Sequence, residues 1–346
     1  MNPENIPNWL LWPLTLPYGA ATRLRVWLYR TGILRQKRMP STVISVGNLT
    51  VGGTGKTPMA LWIAERLAAE NKRAAILMRG YKGDSSAAGA DSDEAQLLRA
   101  RLGDRAEVGV GADRFARGRE LQKRGIDWFV LDDGFQHLQL ARDVDIVLVD
   151  AMDPFGGRLL PAGRRREAKS ELRRGDAIVI TRSAHAPAAE AAIRRYSNAP
   201  IFYARTELAS IRKLSAGQSQ ASDEIAEAAD LRTRKFFAFC GVGNPAAFLA
   251  DLDRWKVQIA GHKFFRDHHK YEQTDVDALV KEARAAGADA LVCTEKDAFN
   301  LAGVSMCAME AFYCVISLCV DREDDFRRLL MATANRKKEE RRKDSA

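Results

Sequence analysis

The stretch Thr50-Val51-Gly52-Gly53-Thr54-Gly55-Lys56-Thr57-Pro58 constrains this chain more than any other. It fits the phosphate-loop pattern GxxxxGK[ST] except at the first glycine, where Thr50 stands, and it holds two extra glycines inside the loop. Its neighbours are of the required kind. Thr42 to Val46 (TVISV) is a β-branched run that reads as a buried strand, and Ala60, Ile63, Ala64 and Leu67 recur at the spacing of an amphipathic helix. Gly52, Gly53 and Gly55, with Thr54 between them, let the backbone turn its N–H groups onto phosphate oxygens at the positive end of that helix. Lys56 would reach the β- and γ-phosphates and the Thr57 hydroxyl would ligate Mg²⁺. Pro58 falls in the first helical turn, where a missing N–H costs little. A nucleoside triphosphate site also needs an acid at the end of a buried strand. Trp128-Phe129-Val130-Leu131-Asp132-Asp133 supplies Asp132 as the better candidate for the metal or its water shell, with Asp133 beside it.

The surrounding pattern is α/β. AAILM (Ala74 to Met78), WFVLD (Trp128 to Asp132), DIVLV (Asp145 to Val149) and AIVIT (Ala177 to Thr181) are near-continuous apolar strands separated by helical or loop stretches, which predicts a parallel sheet with helices on both faces. A polar stretch from Thr206 to Arg234 interrupts the rhythm and reads as a domain link. Beyond it FFAFC (Phe236 to Cys240), ALVCT (Ala290 to Thr294) and FYCVI (Phe312 to Ile316) predict a second, smaller α/β unit. The expected organisation is therefore an N-terminal segment 1–40, a phosphate-loop domain 41–205, a linker 206–234, a second domain 235–335 and a charged tail 336–346.

Charge narrows the partners. The chain carries a net charge of +9, which by itself admits nucleic acid, an anionic membrane surface or a phosphorylated substrate. The excess is concentrated at the ends, with +5 in residues 1–40 and +3 in residues 336–346, so the body between them is nearly neutral. No RNA-binding signature, zinc finger or helix-turn-helix pattern accompanies it, which argues against nucleic acid. From Pro17 to Leu34 a helical wheel puts Pro17, Ala20, Ala21, Leu24, Trp27 and Leu28 on one face, flanked by Arg23, Arg25 and Arg30. Apolar stripe, arginines and nearby Trp9, Trp12 and Tyr18 suit a helix lying in a membrane interface, although the same face could pack on the protein's own core. The five cysteines form no CxxC pair and read as buried small apolar residues in a reducing compartment.

A phosphate loop alone does not separate a kinase from a switch, and a membrane-tethered NTPase of the partition or targeting type fits the same loop and the same basic ends. Further motifs bear on the choice. They are Val46-Gly47-Asn48-Leu49 leading into the loop, Arg79-Gly80-Tyr81, Asp93-Glu94, Asp132-Asp133-Gly134-Phe135-Gln136-His137, Leu160-Pro161-Ala162-Gly163, Asp267-His268-His269 and Thr294-Glu295-Lys296-Asp297. In this order, across residues 42 to 297, they resemble the tetraacyldisaccharide 4'-kinase (lipid A 4'-kinase) family of Gram-negative bacteria.

That resemblance implies two α/β/α domains joined by a thin strand linker, and an N-terminal helix that associates with the cytoplasmic face of the inner membrane. It implies transfer of the ATP γ-phosphoryl group to the 4'-hydroxyl of a tetraacylated glucosamine disaccharide 1-phosphate. By motif, Asp93 matches the catalytic base and His268 its partner, while Thr57, Asp132 and Asp133 match the Mg²⁺ site. Glu94, Gln136, Arg166 and Glu167 match positions around the phosphates and metal. Arg164 and Arg165 stand where the family has an apolar pair. Loose phosphoryl-transfer transition states make positioning and charge neutralisation matter most, so a histidine donating to Asp93 would orient it. With Asp93 and His268 on different expected domains, their meeting would require domain closure.

Overall fold

The computed structural model describes residues 11–80, 93–214, 234–267, 269–301, 303–305 and 308–344. In chain order the elements are α1 (Trp12–Arg30), β1 (Thr42–Asn48), α2 (Lys56–Ala69), β2 (Ala74–Met78), α3 (Asp93–Leu102), β3 (Glu107–Val110), α4 (Arg114–Lys123), β4 (Trp128–Asp132), β5 (Val144–Asp150), β6 (Ala177–Thr181), α5 (Pro187–Arg194) and β7 (Ile201–Lys213). There follow β8 (Phe236–Cys240), α6 (Pro245–Arg254), β9 (Ile259–Phe264), α7 (Gln273–Ala285), β10 (Ala290–Thr294), α8 (Glu295–Asn300), β11 (Ala311–Val320) and α9 (Glu323–Asp344). The chain divides into two compact units. One comprises Met1–Lys82, Leu102–Arg205 and Cys319–Ala346, the other Gly83–Arg101 and Thr206–Leu318.

In the first unit the strands lie in the order β3-β2-β4-β1-β5-β6-β7, and the pairs between them are parallel. Every residue of β1, β4, β5 and β6 is buried, as expected of parallel strands covered on both faces. β1 is central, between β4 and β5, and the chain crosses from one side of it to the other between β4 and β5, the kind of switch point at whose carboxyl edge parallel sheets bind ligands. The β1–β4 register pairs Val46 with Asp132, which fixes where the β4 acids stand relative to the loop leaving β1. Gly47 is required here. A Cβ on it would lie 2.5 Å from Phe135 Cβ and 2.7 Å from its backbone nitrogen, so only glycine lets the Asp133-to-His137 turn lie against β1.

In the second unit the order is β7-β11-β10-β8-β9, with β8, β9, β10 and β11 paired in parallel. Its core gathers Phe237, Phe239, Tyr271, Leu279, Leu291 and Tyr313. β9 escapes the hydrophobic pattern because it is only partly buried and alternates with His262 and Lys263. β3 escapes it because four residues, Glu-Val-Gly-Val, are too short to show a period.

Four expectations change. The strand β7 runs on to Lys213, so the first eight residues of the stretch read as a linker are sheet. Asp93 starts a helix grouped with the second unit, not with the phosphate loop. Helix α1 begins at Trp12, earlier than the wheel suggested, with Pro17 inside it. Residues 336–344, read as a solvated tail, continue α9. That helix is held because Phe326 is fully buried against the rings of Trp62 and Phe202. Further along it, Lys337 pairs with Asp176 at 3.0 Å, and Arg341 pairs with buried Asp143. Two of the terminal cations are thus engaged with carboxylates of the protein itself.

Candidate active site

The loop between β1 and α2 takes its shape from left-handed glycines. Gly52 has φ of 119° and Gly55, the residue before α2, has φ of 82°, a region a β-branched or bulky side chain enters only with strain. The loop is tied down from several sides. Asn48 at the end of β1 donates through Nδ2 to Thr54 Oγ1 at 2.8 Å and Thr50 Oγ1 at 3.3 Å. Val51 N–H donates to the Arg164 carbonyl, and Arg166 N–H to the Leu49 carbonyl, both at 2.7 Å. Arg182, in the left-handed region just after β6, donates to the Gly53 carbonyl at 2.6 Å while pairing with Asp150 at 2.9 Å. These bonds tie the loop to the end of β1, the Arg164–Arg166 segment and the end of β6, and α2 begins directly after it at Lys56.

The acids meet the loop here. Thr57 Oγ1 donates to Asp132 Oδ2 at 2.8 Å, joining the first turn of α2 to the end of β4. Asp133 follows in the left-handed region, with φ of 51°, and its carboxylate takes two bonds from Arg166 Nη1, at 2.9 and 2.8 Å. Lys56 Nζ stands 3.9 Å from Asp133 Oδ1 and donates to the Gly52 carbonyl at 3.2 Å. Gln136 bridges the groups, accepting from Arg166 at 3.1 Å and donating to the Asn48 carbonyl at 2.8 Å. Burial by itself would raise the Asp133 carboxyl pKa. Lys56, Arg166 and Arg114 together outweigh it and hold the group below the usual carboxylate range.

The donor set suits magnesium. A threonine hydroxyl and two adjacent carboxylates are hard oxygen ligands, and Mg²⁺ takes few of these while keeping waters and phosphate oxygens for its remaining positions. Among the described residues no cluster of three or more His, Cys, Asp or Glu side chains forms an all-protein metal cage, which fits that division.

Gly52 to Thr57, Asp132, Asp133, Gln136 and Arg166 are thus brought together. Glu167 is not. It turns into the interior and pairs with Arg174, which also reaches Glu171 at 3.0 Å and lies over the Phe135 ring. Burial raises its pKa against the pull of Arg174. Asp93 and Glu94 form the first turn of α3 in the other unit, where Asp93 Oδ2 accepts from Asn300 at 3.0 Å. His268 lies outside the described residues.

The sequence matches the family described as LpxK, tetraacyldisaccharide-1-P 4'-kinase, over residues 7–335. The chain belongs to the tetraacyldisaccharide 4'-kinase family. Relatives named tetraacyldisaccharide 4'-kinase include one from Geobacter metallireducens, 41% identical over 85% of this chain and 89% of its own. Another, from Syntrophobacter fumaroxidans, is 36% identical over 93% of this chain and 90% of its own. The crystal structure of LpxK from Aquifex aeolicus in complex with ATP aligns with a TM-score of 0.72 and 29% identity, covering 94% of this chain and 99% of that one.

Asn48, Arg114 and Arg182 carry no role in the sequence-based account. Asn48 sits inside a quoted motif, and Arg182 directly follows an apolar strand, the edge at which parallel sheets bind ligands. Nothing comparable marks Arg114. It is almost wholly buried, donates to the Asp133 carbonyl at 3.1 Å, and faces the Asp132 and Asp133 carboxylates.

Arg114 also bears on His137. Burial first, then Arg114, Arg142 and Arg25, push its pKa down from 6.5 to about 4. The folded protein therefore resists a proton that the unfolded chain accepts. This contribution to stability is constant above pH 6.5 and declines as pH falls from there toward 4. An NMR titration of the His137 ring should give a midpoint near 4. A midpoint at the ordinary histidine value would contradict the arrangement of arginines around it.

Proposed function

We infer that this chain is an ATP- and Mg²⁺-dependent lipid kinase that phosphorylates the 4'-hydroxyl of a tetraacylated glucosamine disaccharide 1-phosphate. The observation that carries this reading is the Thr57–Asp132 contact under a glycine-shaped phosphate loop, in a chain of the 4'-kinase family. ATP would supply the phosphoryl group, and a bound Mg²⁺ would supply charge neutralisation for the phosphates.

The protein's own groups do the rest by position. Backbone N–H groups of Gly52 to Gly55 cradle the phosphates, and Lys56, already poised between the Gly52 carbonyl and Asp133, neutralises developing charge. Thr57, Asp132 and Asp133 would hold the metal. Arg166, itself held by Gln136, fixes the Asp133 carboxylate, and the two residues face the phosphates. Asp93 accepts the proton of the sugar hydroxyl, oriented by His268, and Glu94 serves beside it; these three assignments rest on the motif match. Glu167 acts from behind, through its pairing with Arg174 beneath Phe135.

Helix α1 supports a peripheral address on the cytoplasmic face of the inner membrane. No helix among the described residues is long and apolar enough to cross a membrane. Trp12, Leu14, Leu16, Leu24 and Trp27 are exposed on α1, with Ile33 and Leu34 just beyond, while only Gly19 and Val26 of the helix are buried. The stripe faces outward, which favours a lipid interface over packing on the protein's own core. Basic residues near an anionic leaflet add about 1 kcal/mol each.

Purified protein with ATP, Mg²⁺ and detergent-dispersed disaccharide lipid should yield a product heavier by one phosphate, located at the 4'-position by NMR. Lys56→Ala should lower turnover by roughly 3 kcal/mol of transition-state stabilisation or more, about two orders of magnitude. Slow hydrolysis indifferent to the lipid would instead indicate an NTPase switch. For the membrane address, sedimentation with anionic vesicles should weaken with salt and be lost in Leu24→Ser/Trp27→Ser; binding untouched by both would remove α1 from the interface.

A further inference from the structure

The mechanism asks a single carboxylate, Asp93, to present an oxygen to the acceptor hydroxyl. That side chain begins a helix, where it would otherwise sample several rotamers. The second unit restrains it. Asn300, the last residue of α8, donates its side-chain amide to Asp93 Oδ2 at 3.0 Å across 207 positions of sequence.

The restraint has a rigid footing. At the opposite ends of the same two helices, Arg101, next to last in α3, pairs with Glu295, the first residue of α8, at 3.1 Å, so the helices are joined at both ends. Helix α8 is itself anchored through Asp297, which is wholly buried. Its carboxylate accepts from Gly241 N–H at 2.7 Å, the Tyr271 hydroxyl at 2.8 Å and the Thr294 hydroxyl at 2.5 Å. The short helix therefore cannot slide without breaking three bonds in the core.

We propose that Asn300 is a positioning residue for phosphoryl transfer, holding one oxygen of the Asp93 carboxylate so that the group faces the acceptor hydroxyl in a fixed orientation. The inference rests on the reading of Asp93 as proton acceptor. An amide suits the task. It donates a directional hydrogen bond without cancelling the negative charge that a proton acceptor needs, as a lysine or arginine at the same place would. Misalignment of a reacting group by a fraction of an ångström to one ångström costs one to two orders of magnitude in rate, on the order of what well-placed catalytic groups contribute.

The test compares Asn300→Ala, Asn300→Asp and Asp93→Ala in the full-length protein, measuring kcat, KM for ATP, KM for lipid and thermal midpoint. Asn300→Ala should lower kcat about tenfold while both KM values stay within about twofold. Asn300→Asp keeps the shape but sets an acceptor against an acceptor, so its kcat should fall below that of Asn300→Ala. Asn300→Ala with wild-type kcat would overturn the proposal. So would Asn300→Asp equal to or better than Asn300→Ala, or a loss shared by kcat, both KM values and the thermal midpoint, which marks a structural role only. Asp93→Ala separates the two levels of inference. Wild-type turnover there removes the proton-acceptor reading itself, whereas a severe loss beside an unimpaired Asn300→Ala removes only the role of Asn300.

Discussion

The hydrogen bond from Thr57 to Asp132 is the contact on which the site depends, and it exists because two parallel strands are in one register. β1 and β4 pair Val46 with Asp132, so the loop that leaves β1 and the acids that end β4 arrive at the same edge of the sheet. A slip of one residue would turn Asp132 to the other face and present its hydrophobic neighbour instead. Strands buried on both faces leave the register little freedom, because every side chain on either side is already packed. Thus the stability of the sheet and the geometry of the phosphate site have the same origin.

Around this contact the protein balances charge locally. Asp133 faces Lys56, Arg166 and Arg114, and Arg182 ties the loop to Asp150. Each of these cations has a carboxylate close by, so the phosphate loop is surrounded without a block of uncompensated positive charge. The same economy shows at the C-terminus, where basic residues that looked available to a membrane are in part committed to Asp143 and Asp176. The proposed lipid address rests instead on the outward apolar face of α1.

How much of this could be read from the chain depended on whether the signal was local. The phosphate loop, the strand ending in Asp132-Asp133 and the α/β rhythm are written in consecutive residues, and strand burial and loop geometry follow from them. Contacts made across long separations were not legible. Asn300 meets Asp93 across 207 positions, and Glu167 lies next to Arg166 in sequence yet faces the interior, where Arg174 holds it. Alternation along an irregular segment does not reveal which of two adjacent charged residues will be solvated. β9 and the helical continuation of α9 were missed for a related reason: a half-polar edge strand and a charge-rich helix owe their form to what they pack against, not to their own pattern.

If the β1–β4 register builds a metal-assisted phosphate site from Thr57 and Asp132, turnover must depend on Thr57 through Mg²⁺. The most direct measurement is a Mg²⁺ titration of turnover at saturating ATP and lipid, comparing the native chain with Thr57→Ala. The variant should need about tenfold more Mg²⁺ for half-maximal turnover, the usual scale for disturbing one group at a metal site. An unchanged Mg²⁺ requirement in Thr57→Ala would contradict that dependence.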